Sequence, residues 1–226
     1  MKFSTRIKEN IKRVLPLNNN WIRYFYYPRF REWVKTHEKE GRIFENRYEM
    51  YDYINREKFS TEAIDYLEFG VYEGASIRYW LQLNKNKDSR FWGFDTFSGL
   101  PEAWKEGDEI ARPGGTFDVS GRIPVIEDGR VKFVQGLFQD TLVNFLASYE
   151  SGKNLVIHND SDLYSSSLYL LTKCNELIKP GTVVIFDELS SWMNEFRALE
   201  DYTQAYGRSY SILCRTKEFT EVALIF

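Results

Sequence analysis

The sequence predicts an α/β fold in which helices cover both faces of a mostly parallel sheet. From Ala63 onward, short apolar runs alternate with helical segments, and this alternation is typical of parallel strands joined by helices. The last two apolar runs are separated only by the residues around Lys217 to Thr220. Only a hairpin spans such a gap, so one of these two strands is expected to run antiparallel. The 226 residues are enough for one sizeable core.

In chain order, we expect an N-terminal helical extension at residues 1–62 and the α/β domain at residues 63–226. Seven strands are predicted, at residues 63–71, 90–96, 131–136, 153–160, 181–187, 209–216 and 221–226. Helices fill most of the gaps between them. The segment from Ser98 to Arg130 contains several prolines and glycines and is too long for a simple connection, which favours a lid or a substrate loop.

The N-terminal extension differs in character from the rest of the chain. Basic residues alternate there with apolar and aromatic ones: Lys2, Arg6, Lys8, Lys12, Arg13, Trp21, Arg23, Tyr24, Phe25, Arg29 and Arg31. Such a segment suits an anionic membrane surface, but a helix that caps the substrate cleft or forms a homodimer interface is the favoured interpretation. Residues from His37 to Thr61 are expected to form a polar and aromatic helical lead-in to the first strand.

Composition argues against several classes of partner. The formal net charge is −3 and the pI is about 5.6, whereas nucleic-acid binders usually carry a clearly basic surface. Cys174 and Cys214 lie in separate apolar segments without metal-ligand spacing, which indicates two reduced core thiols. No apolar run is long enough to span a bilayer and no signal-peptide core follows Met1, so a cytoplasmic protein without a transmembrane segment is expected.

The first motif that carries chemistry is the run LEFGVYEGAS at residues 67–76. It follows an apolar strand and opens a helix, and its glycines let the backbone approach a ligand closely. The amino end of that helix, with Ser76 in its first turn, offers N–H and hydroxyl donors to an anionic group. A purely structural turn explains the two glycines about as well, so the motif by itself leaves both interpretations open.

The second motif is FWGFDTF at residues 91–97, an apolar strand that ends in a carboxylate. An acidic residue at the end of the second strand is well placed to bind ribose hydroxyls, as in dinucleotide-binding folds. Asp95 could instead cap a turn or a helix. The two motifs together favour a nucleotide-like ligand more than either does alone.

The third constellation places carboxylates after two neighbouring strands. Asp160 and Asp162 follow one strand, and Asp187 and Glu188 follow the next, at the sheet edge where open α/β folds bind ligands. Asp160, Asp187 and Glu188 are therefore predicted to share one hard divalent cation. Solvated helix caps are the alternative, but converging carboxylates repel one another unless a cation is present.

In their order and spacing, four motifs resemble those of the macrocin O-methyltransferase family. They lie at residues 68–76, 93–101, 136–142 and 160–164, the last with 179–181 and 187–188. The resemblance covers about residue 63 to the end. It implies a seven-stranded Rossmann-like sheet with an antiparallel last strand, an S-adenosylmethionine donor, a Mg²⁺ ion, and metal-dependent methylation of a sugar hydroxyl.

Carried over by position, the resemblance implies a role for each matching residue. Asp162 matches the general base, and Phe138 would lie beside the donor's adenine. The carboxylates of Asp160, Asp187 and Glu188 match the metal ligands, although Glu188 stands where aspartate is frequent. The donor would be bound by residues of the first two motifs: Glu68, Gly70, Tyr72 (in place of a glycine common in methyltransferases), Gly74, Ser76 and Asp95.

The predicted function is O-methylation of a small-molecule hydroxyl, most simply that of a sugar or a glycosylated metabolite. Two alternatives stay open on the sequence. One is a glycosyltransferase that uses residues 160–162 to bind a metal and a nucleotide sugar, and the other is a non-catalytic module that binds the cofactor. His158 is interpreted as a buried supporting histidine in preference to a base, and aromatic residues such as Trp104 could line a sugar site.

Overall fold

The computed structural model describes residues 19–106, 109–152 and 154–226, with side chains in the first helix from Phe25 onward. The basic residues predicted at the start of the chain, from Lys2 to Arg13, lie outside the described residues, as do the side chains of Trp21, Arg23 and Tyr24.

The centre of the structure is an eight-stranded sheet. Its strands are β1 (Arg42–Phe44), β2 (Asp65–Phe69), β3 (Arg90–Asp95), β6 (Val131–Gln135), β7 (Leu155–Asn159), β8 (Val183–Phe186), β9 (Ser211–Thr216) and β10 (Val222–Ile225). They lie in the order β1-β9-β10-β8-β7-β2-β3-β6. Strand β10 is antiparallel to both β8 and β9, and the other pairs are parallel. The seven predicted strands and the antiparallel C-terminal strand are thus confirmed.

Six α-helices are described: α1 (Asn19–His37), α2 (Arg47–Ile54), α3 (Ala75–Leu83), α4 (Phe138–Ser148), α5 (Tyr164–Lys173) and α6 (Glu195–Tyr206). A π-helical turn, Asn55–Phe59, extends α2. None of the described helices is long and apolar enough to cross a membrane.

Strand order places the ends of β2 and β7 at the point where the chain reverses its direction across the sheet. From β2 the chain moves outward to β3 and β6, and it then returns to form β7 on the other side of β2. Phe69 pairs with Asn159 at the ends of these two strands, so the residues that follow them lie side by side. Open α/β sheets bind their ligands at this position.

Alternation along the central strands divides the core between the two faces of the sheet. Leu67 and Phe69 of β2 belong to one buried apolar cluster, and Tyr66 belongs to the other. Because side chains alternate along a strand, Glu68 shares its face with Tyr66. This places a carboxylate inside the core on the side that α2 and α3 cover.

The region between α1 and β2 differs from the continuous helical lead-in predicted for His37 to Thr61. Strand β1 lies there and pairs in parallel with β9 at the edge of the main sheet, so the sheet has one strand more than predicted. Three residues are too few to show a strand period. Ile43, in the middle of β1, is also 53% exposed, so the local pattern contains no buried run.

The first helix, α1, packs against α6 and the residues just before β9. Phe30 and Trp33 are buried and make edge-to-face contacts with Phe196 of α6, and Trp33 donates a hydrogen bond from Nε1 to the hydroxyl of Tyr210 (2.8 Å). The described part of the extension is therefore joined to the core by buried aromatic contacts.

The long segment from Ser98 to Arg130 contains structure that the sequence did not predict. Two short strands, β4 (Trp104–Glu106) and β5 (Glu109–Arg112), form an antiparallel hairpin. Trp104 donates from Nε1 to Ser191 Oγ (3.3 Å), and Asn194 donates to the carbonyl oxygen of Lys105 (3.0 Å). The hairpin is thereby attached to the loop that follows β8.

Candidate active site

The turn after β2 is held by a glycine and a carboxylate. Gly70 has a φ of +95° and lies so close to the loop after β7 that a Cβ there would be 2.6 Å from the carbonyl carbon of Asp160. Asp95 accepts hydrogen bonds at Oδ2 from the backbone amides of Val71 (2.7 Å) and Tyr72 (2.8 Å). The ends of β3 and β7 thus position the turn from both sides.

Helix α3 begins directly behind this turn. Gly74 occupies the N-cap position with a φ of +79°, and no side chain of the described residues caps the helix there. The N–H groups of its first turn lack partners within the helix, and such groups bind anions well. Ser76 adds a hydroxyl in the same turn. The helix start and Ser76 are thus arranged as the sequence predicts, and binding of an anionic group there stays a prediction.

The carboxylates of the third constellation meet at one edge of the sheet. The amide of Asp160 donates to the carbonyl oxygen of Phe69 (2.9 Å), and the amide of Asp187 donates to that of Asn159 (3.0 Å). These bonds continue the strand pairing past the ends of β7 and β8. As a result, the two aspartates emerge beside each other.

Asp162 lies between Asp160 and the start of α5, and its backbone conformation is strained. Its φ is +60°, and the amide of Leu163 donates to the carbonyl oxygen of Ser161 across it (2.6 Å). A non-glycine residue in a tight γ-turn of this type costs about 1–3 kcal/mol and occurs preferentially at functional sites. Burial, followed by the charges of Glu188 and Asp187, raises the pKa of Asp162 to about 7.

The pKa values of the other carboxylates in the cluster are shifted as well. Burial and then the charge of Asp187 raise the pKa of Asp160 well above its usual range, and the same two causes raise the pKa of Glu188 to about 7. Burial alone would raise the pKa of Asp187, but the adjacent His158 and the charge of Arg47 outweigh it and lower this pKa.

Arg47 and His158 provide the positive charge at this cluster. Arg47 Nη1 lies 2.8 Å from Asp187 Oδ2 and 3.0 Å from Asp187 Oδ1. His158 Nε2 lies 3.6 Å from Asp187 Oδ1. One potential ligand atom from each of His158, Asp160 and Asp187 lies within 4.8 Å of the others. Among the described residues, the group that could hold a metal ion thus consists of His158 and two of the three predicted carboxylate ligands, Asp160 and Asp187.

A buried hydrogen-bonded chain runs from this cluster to β2. The hydroxyl of Tyr66 donates to Glu68 Oε2 (2.8 Å) and lies 2.7 Å from His158 Nδ1. Burial would lower the pKa of His158, but the nearby carboxylates of Asp187 and Glu68 raise it to about 10. His158 is therefore a buried histidine that lies next to Glu68 and Asp187. From the sequence it is interpreted as a buried supporting residue.

A cavity of about 510 Å³ joins these parts. The turn after β2 forms one wall and the carboxylates form the floor, while Trp104, Arg112 and Phe117 of the 98–130 segment contribute to the lining from above. Nine of the eleven predicted site residues line it: Gly70, Tyr72, Ser76, Asp95, Phe138, Asp160, Asp162, Asp187 and Glu188.

The other two predicted residues lie outside the lining. Glu68 is 1% exposed and faces Tyr66 and His158 beneath the floor. Gly74 faces Pro124, whose side chain would lie 3.4 Å from an added Cβ. Whether Glu68 and Gly74 line the cavity depends on which side of the backbone faces it, and residue spacing alone does not determine this.

Three charged residues at the site, Arg47, Arg112 and Glu195, are not among the residues predicted from the sequence. Arg47 and Arg112 line the cavity, and each comes from a segment whose position depends on tertiary packing. Glu195, the first residue of α6, is fully buried and accepts a hydrogen bond at Oε2 from the amide of Glu188 (3.0 Å). This bond fixes the start of the loop after β8. Burial, followed by the charge of Asp162, raises the pKa of Glu195 well above its usual range.

Solved methyltransferase structures share this fold. The crystal structure of CalS11, a calicheamicin methyltransferase, superposes with a TM-score of 0.65 at 22% identity and covers 79% of this chain and 78% of its own. An O-methyltransferase from Bacillus cereus, solved in complex with SAH (S-adenosylhomocysteine), gives a TM-score of 0.52 at 15% identity over 98% of both chains. The chain therefore shares the Rossmann-like fold of these structures.

Sequence comparison identifies the family of the chain. The family model of Macrocin-O-methyltransferase (TylF) matches residues 48–212, and the chain belongs to this family. A curated relative from Streptomyces olivaceus is 29% identical over 162 residues, and the match covers 64% of this chain. It is named 8-demethyl-8-(2,3-dimethoxy-α-L-rhamnosyl)-tetracenomycin-C 4′-O-methyltransferase, and this chain spans 60% of its length.

Proposed function

We propose that the protein is an S-adenosylmethionine-dependent O-methyltransferase that acts on a hydroxyl of a sugar or a glycosylated metabolite. One observation carries the proposal: the glycine turn after β2 and the carboxylates after β7 and β8 line a single cavity. The name of the curated relative places its own reaction on a rhamnosyl group. Family membership makes a sugar hydroxyl the first acceptor to test.

The proposed donor site extends from the turn to α4. The open N-terminus of α3 and Ser76 suit the donor's carboxylate, since uncapped amides favour an anion. Asp95 suits the ribose, and Phe138, which is 9% exposed and lines the cavity, suits the adenine. Tyr72 replaces a glycine at the cavity wall. Glu68 would act on the donor's ammonium group only from beneath the lining.

The carboxylate cluster fits a divalent cation such as Mg²⁺. Burial and then the charge of Asp187 raise the pKa of Asp160 although His158 lies nearby, and a bound cation would offset the repulsion between the two carboxylates. Carboxylate oxygens are the ligands that hard cations prefer. In the proposal Asp160 and Asp187 hold the ion, and Glu188, which lines the same cavity, completes the set.

In the reaction, S-adenosylmethionine would supply an activated methyl group, and the divalent cation would lower the pKa of the acceptor hydroxyl. Asp162 accepts the hydroxyl proton as general base. A pKa near neutrality suits this role, because the carboxylate is then both available and basic enough to take the proton. The cavity walls align the acceptor oxygen with the methyl group, which itself contributes strongly to the rate.

For domain organisation, we propose that residues 63–226 form most of the methyltransferase domain and that α1 of the predicted extension caps its cleft, whereas β1 and α2 belong to the sheet and core of the domain. The cap is favoured over a dimer interface by one contact of α1. Tyr27 packs edge-to-face on Trp192 (ring centroids 5.7 Å apart), and Trp192 belongs to the loop that is attached to the hairpin above the cavity.

Transfer of a labelled methyl group tests the function. The protein is incubated with deuteromethyl S-adenosylmethionine, Mg²⁺ and a panel of rhamnosylated and other deoxysugar-bearing compounds, and products are identified by mass spectrometry. We expect a labelled O-methyl sugar that is absent with excess chelator. Calorimetry with S-adenosylhomocysteine and with UDP separates the alternatives, because binding of UDP alone would identify a glycosyltransferase instead.

A further inference from the structure

Arg47 occupies the position where a cation is needed. It is the first residue of α2, and the N-cap Asn46 fixes that helix end by accepting hydrogen bonds from the amides of Tyr48 and Glu49. From this fixed backbone the Arg47 side chain reaches across to Asp187 and places one nitrogen against both carboxylate oxygens. Those oxygens are the ones that a divalent cation would bind.

Arg47 also has a second carboxylate partner besides Asp187. Its Nε lies 3.7 Å from Glu221 Oε1, in the turn between β9 and β10. The Glu221 carboxylate is itself positioned, because its Oε2 accepts a hydrogen bond from the hydroxyl of Thr216 (2.8 Å). The Arg47 side chain is 35% exposed, so it has room to change partners without disturbing the core.

The two cations at Asp187 differ in their freedom to leave. His158 is fully buried and hydrogen-bonded to Tyr66, so it stays in place. Arg47 contacts the cluster only through the end of its flexible, partly exposed side chain. Arg47 is therefore the group that must yield when another cation enters.

We infer that Arg47 is a built-in competitor of the divalent cation: it neutralises Asp187 in the metal-free protein and transfers to Glu221 when the cation binds. This inference rests on the cation site of the proposed function and concerns a residue to which that function assigns no role. The cation affinity is set by this exchange, since a competitor bound to one ligand must first be displaced.

The test is the affinity of the full-length protein for Mn²⁺, measured by electron paramagnetic resonance of free Mn²⁺. We expect Arg47→Gln to bind Mn²⁺ at least about tenfold more tightly than the unaltered protein, which is the range of a charge-assisted hydrogen bond. Arg56→Gln is the matched control. It removes the same charge from an exposed arginine that pairs with Glu57, and it should leave the Mn²⁺ affinity unchanged.

A double-mutant cycle tests the transfer to Glu221. Glu221→Gln should weaken Mn²⁺ binding when Arg47 is present, because the displaced guanidinium then lacks its second partner. In the Arg47→Gln background the effect should be much smaller, because no guanidinium is displaced. Equal or weaker Mn²⁺ binding by Arg47→Gln would overturn the inference while leaving the cation site intact. If neither the unaltered protein nor Arg47→Gln binds Mn²⁺, both the cation site and the inference are wrong.

Discussion

The closest backbone approach in the site gives a sharp mutational test. An alanine at residue 70 would place its Cβ 2.6 Å from the carbonyl carbon of Asp160, and real Cβ contacts essentially never fall below 3.0 Å. Gly181 provides a matched control, since its φ of +97° is nearly that of Gly70 (+95°) and nothing lies within 4 Å of an added Cβ. The two substitutions share the conformational penalty and differ in the overlap.

The magnitudes follow from these two parts. Alanine at positive φ costs about 1–2 kcal/mol, and this is the whole expected effect of Gly181→Ala. Overpacking adds about 1–3 kcal/mol in Gly70→Ala, and the upper end applies because the opposing atoms are backbone. An extra loss of about 3 kcal/mol lowers the midpoint of thermal unfolding by a further 6–12 °C or so.

Thermal unfolding followed by circular dichroism, with calorimetric titration of S-adenosylhomocysteine, measures both consequences. Gly70→Ala should lose stability and donor affinity together, because the turn can relieve the overlap only by moving away from the Asp160 loop. Gly181→Ala should keep its donor affinity. Equal losses in the two variants would show that the close approach of Gly70 to Asp160 does not shape the donor site.

Three further predictions concern the chemistry of the site and the core. Asp187→Ala should abolish chelator-sensitive methyl transfer and leave S-adenosylhomocysteine binding largely intact; calorimetry showing both lost would mean that the two sites are not separable. Asp162→Asn should lower kcat by roughly 10²–10⁴-fold, as for loss of a general base, with Mn²⁺ and donor affinities retained; an unchanged kcat would exclude Asp162 as the base. Burial raises the pKa of the Cys174 thiol to about 12 and also raises that of Cys214, so neither should react with a thiol reagent at pH 8 until the protein unfolds, and rapid labelling of the folded protein would contradict this.

The elements that could be predicted from sequence are those whose signal is local. The strands 63–71 and 153–160 are apolar runs followed by glycine or acidic residues, and the topology of parallel sheets brings such ends together. This was enough to predict that Asp160, Asp187 and Glu188 lie close together, and all three line one cavity.

The parts that could not be predicted depend on contacts distant in sequence. Arg47 reaches Asp187 across 140 positions of the chain, and β1 exists because β9 offers it an edge. Glu68 lies beneath the lining because alternation along β2 turns it toward Tyr66 and His158. A carboxylate at a strand end is visible in the sequence, but the direction in which it points is set by the whole sheet.

Proximity of donor and cation is the claim on which the proposed reaction depends, and nuclear magnetic resonance with Mn²⁺ measures it most directly. Isotope-labelled S-adenosylhomocysteine is bound to the protein, Mn²⁺ is added, and the signals of the bound ligand are followed. We expect strong paramagnetic broadening of these signals in the unaltered protein and its loss in Asp187→Ala. Bound ligand whose signals stay sharp when Mn²⁺ saturates the protein would contradict a shared cavity.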